Sequence, residues 1–174
     1  MRSTQRTVLV EVDAEPAPLY EVQRWGDQRT LVATAPVDSG TVVYRVPRLP
    51  DFVLRHPNTH SVQVSSEEHL DFANALPAAA LTHHECEPNG DLIVTADAVV
   101  FVARRDIATG EFLSFDYNTT EYFMATPFEC KCGSEVCLGT VGGFKLLSPE
   151  HRAKILPRCS STVLELASQE GLCN

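Results

Sequence analysis

The sequence has no apolar run long enough to leave water. Its first hydrophobic stretch, Thr7-Val8-Leu9-Val10, is broken by Glu11. That is shorter than a signal-peptide core and far short of the roughly 20 residues of a spanning helix. No membrane association and no secretory route are expected. The expected compartment is the reducing cytoplasm, or the nucleus if the host is a eukaryote. A basic excess is also missing. Fourteen Lys and Arg stand against 23 Asp and Glu, a net charge of −9. A phosphate-backbone binder needs a basic face, so no nucleic-acid partner is expected. A cationic partner, such as a Lys/Arg-rich peptide, is compatible with that charge, and the charge also serves solubility. Neither an internal repeat nor a low-complexity linker divides the 174 residues, which suffice for one sizeable core.

What is present in the first two-thirds is a series of short β segments. They are Thr7–Val12, Leu19–Arg24, Thr30–Thr34, Thr41–Val46, Ser61–Ser65, Asp91–Ala96, Val99–Ala103 and Glu111–Phe115. Each is rich in Val, Thr or aromatics and bounded by Pro, Gly or Asp. Leu92–Thr95 and Ala98–Phe101 read as a hairpin, although its Ala96-Asp97 turn lacks Asn-Gly. Ser66–Ala75 and Pro77–Thr82 are expected to be helical, with Ser66 as N-cap and Glu67 and Glu68 favoured by the dipole. The tail reads as two short helices, Glu150–Leu156 and Ser160–Ala167. Ser148-Pro149 forms the start, Pro157 the break and Gly171 the stop.

In a reducing compartment, six cysteines point to metal or catalysis rather than disulfides. Three lie within eight residues, in Cys130-Lys131-Cys132-Gly133-Ser134-Glu135-Val136-Cys137. Gly133 lets this backbone turn around a small tetrahedral ion. Structural zinc takes four ligands, so a fourth must come from elsewhere. Cys86, Cys159, Cys173, His83 and His84 are the residues that could supply it.

Two further runs carry a family resemblance. His83-His84-Glu85-Cys86-Glu87-Pro88-Asn89 resembles the N-H-S-C-x-P-N motif of SET-domain methyltransferases. Gly110-Glu111-Phe112-Leu113-Ser114-Phe115-Asp116-Tyr117-Asn118 is similar to that family's G-E-E-L-x-F-D-Y-N. The cysteine run with Leu138-Gly139 then resembles the family's post-SET C-x-C-x4-C-x-G segment. The likeness is specific from about residue 82 to 144 and weaker from 25 to 46. No pre-SET cysteine cluster is present. The resemblance implies a mainly β fold, the SET β-clip of small curved sheets with a pseudoknot. A C-terminal segment would pass beneath a loop, and a zinc-bound post-SET segment and short C-terminal helices would follow. It divides the chain into a SET-like catalytic domain at 1–127, a post-SET segment at 128–146 and a helical tail at 147–174.

The resemblance also implies roles. Cys86 should join Cys130, Cys132 and Cys137 around a structural Zn2+, fixing the tail against the core. The cofactor would be S-adenosylmethionine and the reaction an in-line methyl transfer to an amine, in which alignment supplies much of the rate. Tyr117 would orient the methyl group, and Phe115 would wall the acceptor channel. His84 would lie near the adenine, with Phe128 and Phe144 packing on it. Three departures stand out. Gln28-Arg29-Thr30 replaces a Gly-x-Gly whose glycines allow close backbone approach. His83 replaces an Asn, splitting donor and acceptor between two ring nitrogens. His60 takes the place of a channel tyrosine. The acceptor expected is a lysine-containing protein or peptide. A small-molecule acceptor and a catalytically silent binding module are the alternatives.

Overall fold

The computed structural model describes residues 17–124 and 126–173; the strand expected at Thr7–Val12 lies outside them. Chain order begins with an antiparallel hairpin, β1 (Tyr20–Trp25) and β2 (Gln28–Ala33), closed by Gly26 at φ 61°. Next come β3 (Val42–Pro47), β4 (Val53–Leu54), β5 (Ser61–Gln63), β6 (His69–Asp71), the short helix α1 (Phe72–Ala75) and β7 (His83–His84). The hairpin β8 (Gly90–Val94) and β9 (Ala98–Ala103) follows, then β10 (Ser114–Phe115). The cysteine loop is framed by β11 (Phe128–Glu129) and β12 (Thr140–Val141), and helices α2 (Pro149–Ile155) and α3 (Ser161–Gln169) end the fold.

The strands form small separate sheets rather than one large one. β9 is the most apolar strand and is central in the order β3-β9-β8. A second sheet runs β4-β6-β5, and β7 pairs with β10 in parallel. Leu31, Val46, Leu70, Leu92, Val99, Phe101, Ile107 and Leu113 are sealed in one core between them. The β8–β9 turn forms without glycine because Thr95 closes it. Its hydroxyl accepts from Ala98 N at 3.1 Å and lies 2.8 Å from Asp97 Oδ1.

The helix expected over Ser66–Ala75 is not there. Val64 N donates to Glu68 O, making a tight turn, and His69–Asp71 pairs with β5 and β4. Only Phe72–Ala75 is helical, capped by Asp71 rather than Ser66. Long-range pairing of β6 with two strands outweighs the local helix signal. Of Pro77–Thr82, Ala79–Leu81 forms a single 3-10 turn.

The chain after β10 is tied on both sides. Gln63 N donates to Glu121 Oε1 at 2.8 Å, and Tyr122 N donates to Gln63 Oε1 at 3.0 Å. Residues 114–122 therefore run between β7 and β5, in agreement with a segment passing beneath a loop. The tail holds this segment from behind. Ser148 caps α2, with Pro149 in its first turn, and Ser160 caps α3. Ile155, Val163 and Ala167 pack on Tyr122 and Phe144 in a second core. Ser160 N donates to Thr119 O at 2.8 Å, and Arg158 reaches Asp91 at 3.1 Å and Asp116 at 3.6 Å.

Gly143 lets two backbone runs meet here. It has φ 95°, and a Cβ would lie 2.8 Å from Tyr122 O and Phe123 Cα. Its N–H donates to Asn118 Oδ1 at 3.0 Å. Gly143→Ala combines a left-handed backbone penalty with a clash against backbone that has little room to yield. It is expected to cost about 2–4 kcal/mol, read as a lower urea midpoint at unchanged slope.

Candidate active site and metal centre

Cys86 follows β7, and the other three cysteines of the expected set follow β11. Folding brings the four together: Cys86, Cys130, Cys132 and Cys137 place their sulfurs within 4.8 Å of one another. Zinc–sulfur bonds of about 2.3 Å in a tetrahedron require sulfur–sulfur edges of about 3.8 Å. Cys86 Sγ and Cys130 Sγ are 3.8 Å apart, much too far for a disulfide. Leu138 N donates to Cys86 Sγ at 3.4 Å, a bond of the kind that steadies a ligating thiolate. Burial pushes the Cys86 and Cys130 thiols up. Burial acts the same way on Cys132, but hydrogen bonds from the N–H groups of Cys86 and Ser134 and from the Cys130 and Cys137 thiols outweigh it. They bring Cys132 down to about 7. This donor set and spacing fit a closed structural zinc site. Cys159 and Cys173 lie apart from it, their thiols against the carbonyls of Ile155 and Leu164.

Beside the cluster, two cavities share a wall. The first, about 590 Å3, is lined by Phe115, Glu121, Phe123 and Met124 among others. The second, about 740 Å3, is lined by Gln28, Arg29, His83, His84 and Lys131 among others. His60, Ala80, Thr82, Tyr117 and Phe128 border both. Both volumes suit small-ligand pockets.

Tyr117 stands at this junction, positioned by a 3-10 turn that Asp116 caps. Its hydroxyl donates to Thr82 O at 2.7 Å. Burial, with the nearby Glu121 charge second, pushes its pKa up to about 12. The phenol therefore stays protonated, and its oxygen remains able to accept. Phe115 packs on it at 4.6 Å between ring centroids, and His84 and Phe128 approach edge-on at 5.3 and 6.1 Å. Burial lowers His84 to about 4, so it is neutral. Its Nδ1 accepts from Tyr117 N at 3.2 Å, which links the Tyr117 backbone to the cysteine motif.

The remaining expected residues divide. Gln28, Arg29, His60, His83 and Phe128 all face a cavity. Thr30 does not: β2 is exposed only at Gln28 and Arg29 and is buried from Thr30 onward, so Thr30 is sealed, with no hydrogen-bond partner for its hydroxyl among the described residues. Phe144 does not either. It is fully buried in the second core, where it packs with Tyr122, Ile155, Val163 and Ala167. Sequence reasoning missed Thr82, Glu121, Phe123 and Met124. Exposure of Phe123 at 55% is visible only in the fold. A third hollow, about 570 Å3, is bordered by Cys86, Arg105, Lys154 and Arg158 among others. Its Arg105, Lys154 and Arg158 are met by Glu111, Glu150 and Asp91.

The SET-domain family model matches residues 28–118, and the chain belongs to the SET-domain family. It is 34% identical over 76 residues to "Methyltransferase flvH" of Aspergillus flavus, across 44% of this chain and 40% of that protein. It is 37% identical over 82 residues to an H3 lysine-36-specific histone-lysine N-methyltransferase of Schizosaccharomyces pombe, across 44% of this chain and 10% of that one. The chain thus matches less than half the length of either relative. The crystal structure of KRYPTONITE in complex with mCHG DNA and SAH superposes with a TM-score of 0.55 at 19% identity. That match covers 70% of this chain and 28% of that one and supports the same fold.

Proposed function

We propose that this chain is an S-adenosylmethionine-dependent methyltransferase acting on lysine side chains of a protein. The observation that carries this reading is the pair of cavities meeting at Tyr117. A donor and an acceptor entering from opposite sides would face each other across one phenol. The second cavity suits the cofactor, with the half-exposed ring of Phe128 and the β7 backbone on its wall. S-adenosylmethionine, when bound there, supplies a methyl group on a sulfonium. This chain's residues do the positioning. Tyr117, anchored through Thr82 O, accepts weak C–H or N–H bonds at the junction. Phe115 and Phe128 exclude water from it. The apolar wall lowers the pKa of an entering ammonium, favouring the neutral nucleophile. The −9 charge favours a cationic protein partner, as do relatives named for histone lysine. We also propose that residues 128–146 form a zinc-bound unit closing the second cavity, between the catalytic part at 1–127 and the tail at 147–174.

A small-metabolite acceptor is the second reading. His60 in the first cavity, the glycine-free Gln28-Arg29-Thr30 and the relative called only a methyltransferase favour it. Incubation with methyl-labelled cofactor and core histones separates the two. The first reading predicts label on lysine Nζ, located by mass spectrometry. Label that appears only in a metabolite extract would replace it with the second.

A further inference from the structure

Among the described residues, the buried carboxylate of Glu121 has no hydrogen-bonded cation. It is 9% exposed and lines the first cavity, next to Tyr117 and the apolar Phe115, Phe123 and Met124. Its Oε1 accepts from Gln63 N at 2.8 Å. Among the described residues its Oε2 has no hydrogen-bond donor; the nearest basic atom is His69 Nε2 at 3.8 Å. His69, on β6, is held neutral by burial. The turn behind Glu121, Phe144–Leu146, brings only Lys145, whose Nζ is engaged by Glu170 at 2.8 Å. His60 borders the same cavity, and Tyr117 lies one turn earlier on the same segment. An uncompensated carboxylate in such a place is costly unless a cation enters.

We propose that Glu121 takes the proton from the acceptor ammonium in the first cavity. This rests on the methyltransferase reading above and adds a proton acceptor to it. The step is balanced: an ammonium N–H bond breaks, its electron pair stays on nitrogen, and the proton forms an O–H bond at Oε2. Neutral amine and neutral carboxylic acid result, both suited to an apolar wall, and the proton then passes to water at the cavity mouth. Burial raises Glu121 to about 7, the range in which a general base is most effective. A carboxyl raised in the fold contributes stability below its ordinary pKa of 4.5, and that stability is lost as pH rises through 7. Glu121→Gln keeps an acceptor for Gln63 N, so it should melt no lower than wild type at about pH 8.

The kinetic test uses core histones and labelled cofactor. Wild-type kcat/KM should rise with unit slope to a break near pH 7, as Glu121 ionises. Glu121→Gln should lose about 100-fold or more at pH 7. Its rate should climb with pH as solution deprotonates the amine, closing to within about 10-fold near the lysine pKa of about 10. Loss that is equal at every pH, or no loss, in an active enzyme overturns the role of Glu121 alone. A wild type that labels no lysine removes the methyltransferase reading and this proposal together. Carbon-13 NMR of labelled glutamate in the wild type is independent of turnover and of the variant's folding. One side-chain carboxyl should titrate near 7; all titrating below about 5.5 would overturn the proposal.

Discussion

Tyr117→Phe is expected to lower kcat by about 100- to 1000-fold, the loss typical of removing one preorganised polar group at a reacting centre. Cofactor affinity should change only a few-fold. The ring does the packing, against Phe115, His84 and Phe128, and Phe keeps it. Tyr117 borders both cavities, and its hydroxyl oxygen remains able to accept, its proton being committed to Thr82 O at 2.7 Å. Losing that bond leaves one carbonyl short of a donor, about 1 kcal/mol. Stability should therefore fall slightly while turnover collapses. Initial rates on core histones and a melting curve of the same preparation read the two effects. A kcat within about 3-fold of wild type would remove Tyr117 from the chemistry.

The second large effect is expected from Cys137→Ser. Between Glu129 and Thr140 the chain has little apolar burial of its own. Val136 is 45% exposed, and only two residue pairs, Phe128–Val141 and Glu129–Thr140, join β11 to β12. Four thiolates around one ion would order it, and structural zinc binding is worth on the order of 10 kcal/mol. Removing one ligand should release the metal and cost several kcal/mol. Phe128 and Lys131 would then leave the wall of the second cavity, so cofactor binding should fail as well. Metal analysis should find one zinc per wild-type chain and none in the variant. Hydrogen exchange should speed up across 128–141 in the variant. A wild type without metal, or a variant with unchanged protection, would contradict this account.

Local chemistry was readable wherever it is written in consecutive residues. The spacing of Cys130, Cys132 and Cys137 announces a thiol cluster, and Ser148-Pro149 and Ser160 announce the tail helices by their caps. By residue type alone Cys86 is one of five candidates for the fourth ligand, and only the resemblance of the motif around it singles it out. What stayed hidden depends on distant pairing. Strands β4, β6 and β7 have two or three residues each, too few for a period, and exist only because other strands lie beside them. Glu67 and Glu68 imitate a helix start, yet Glu68 turns the chain and meets Arg48 at 2.7 Å. Glu121 reads as an ordinary surface acid; only the passage of residues 114–122 between two sheets buries it. Phe144 illustrates the converse, an aromatic next to a motif that packs inward because the tail covers it.

Calorimetric titration of the zinc-loaded protein with S-adenosylmethionine probes the donor half of the junction most directly. One saturable site per chain is predicted, weakened when Phe128 is replaced by Ala. A fully folded, metal-bound chain that takes up no cofactor would contradict it.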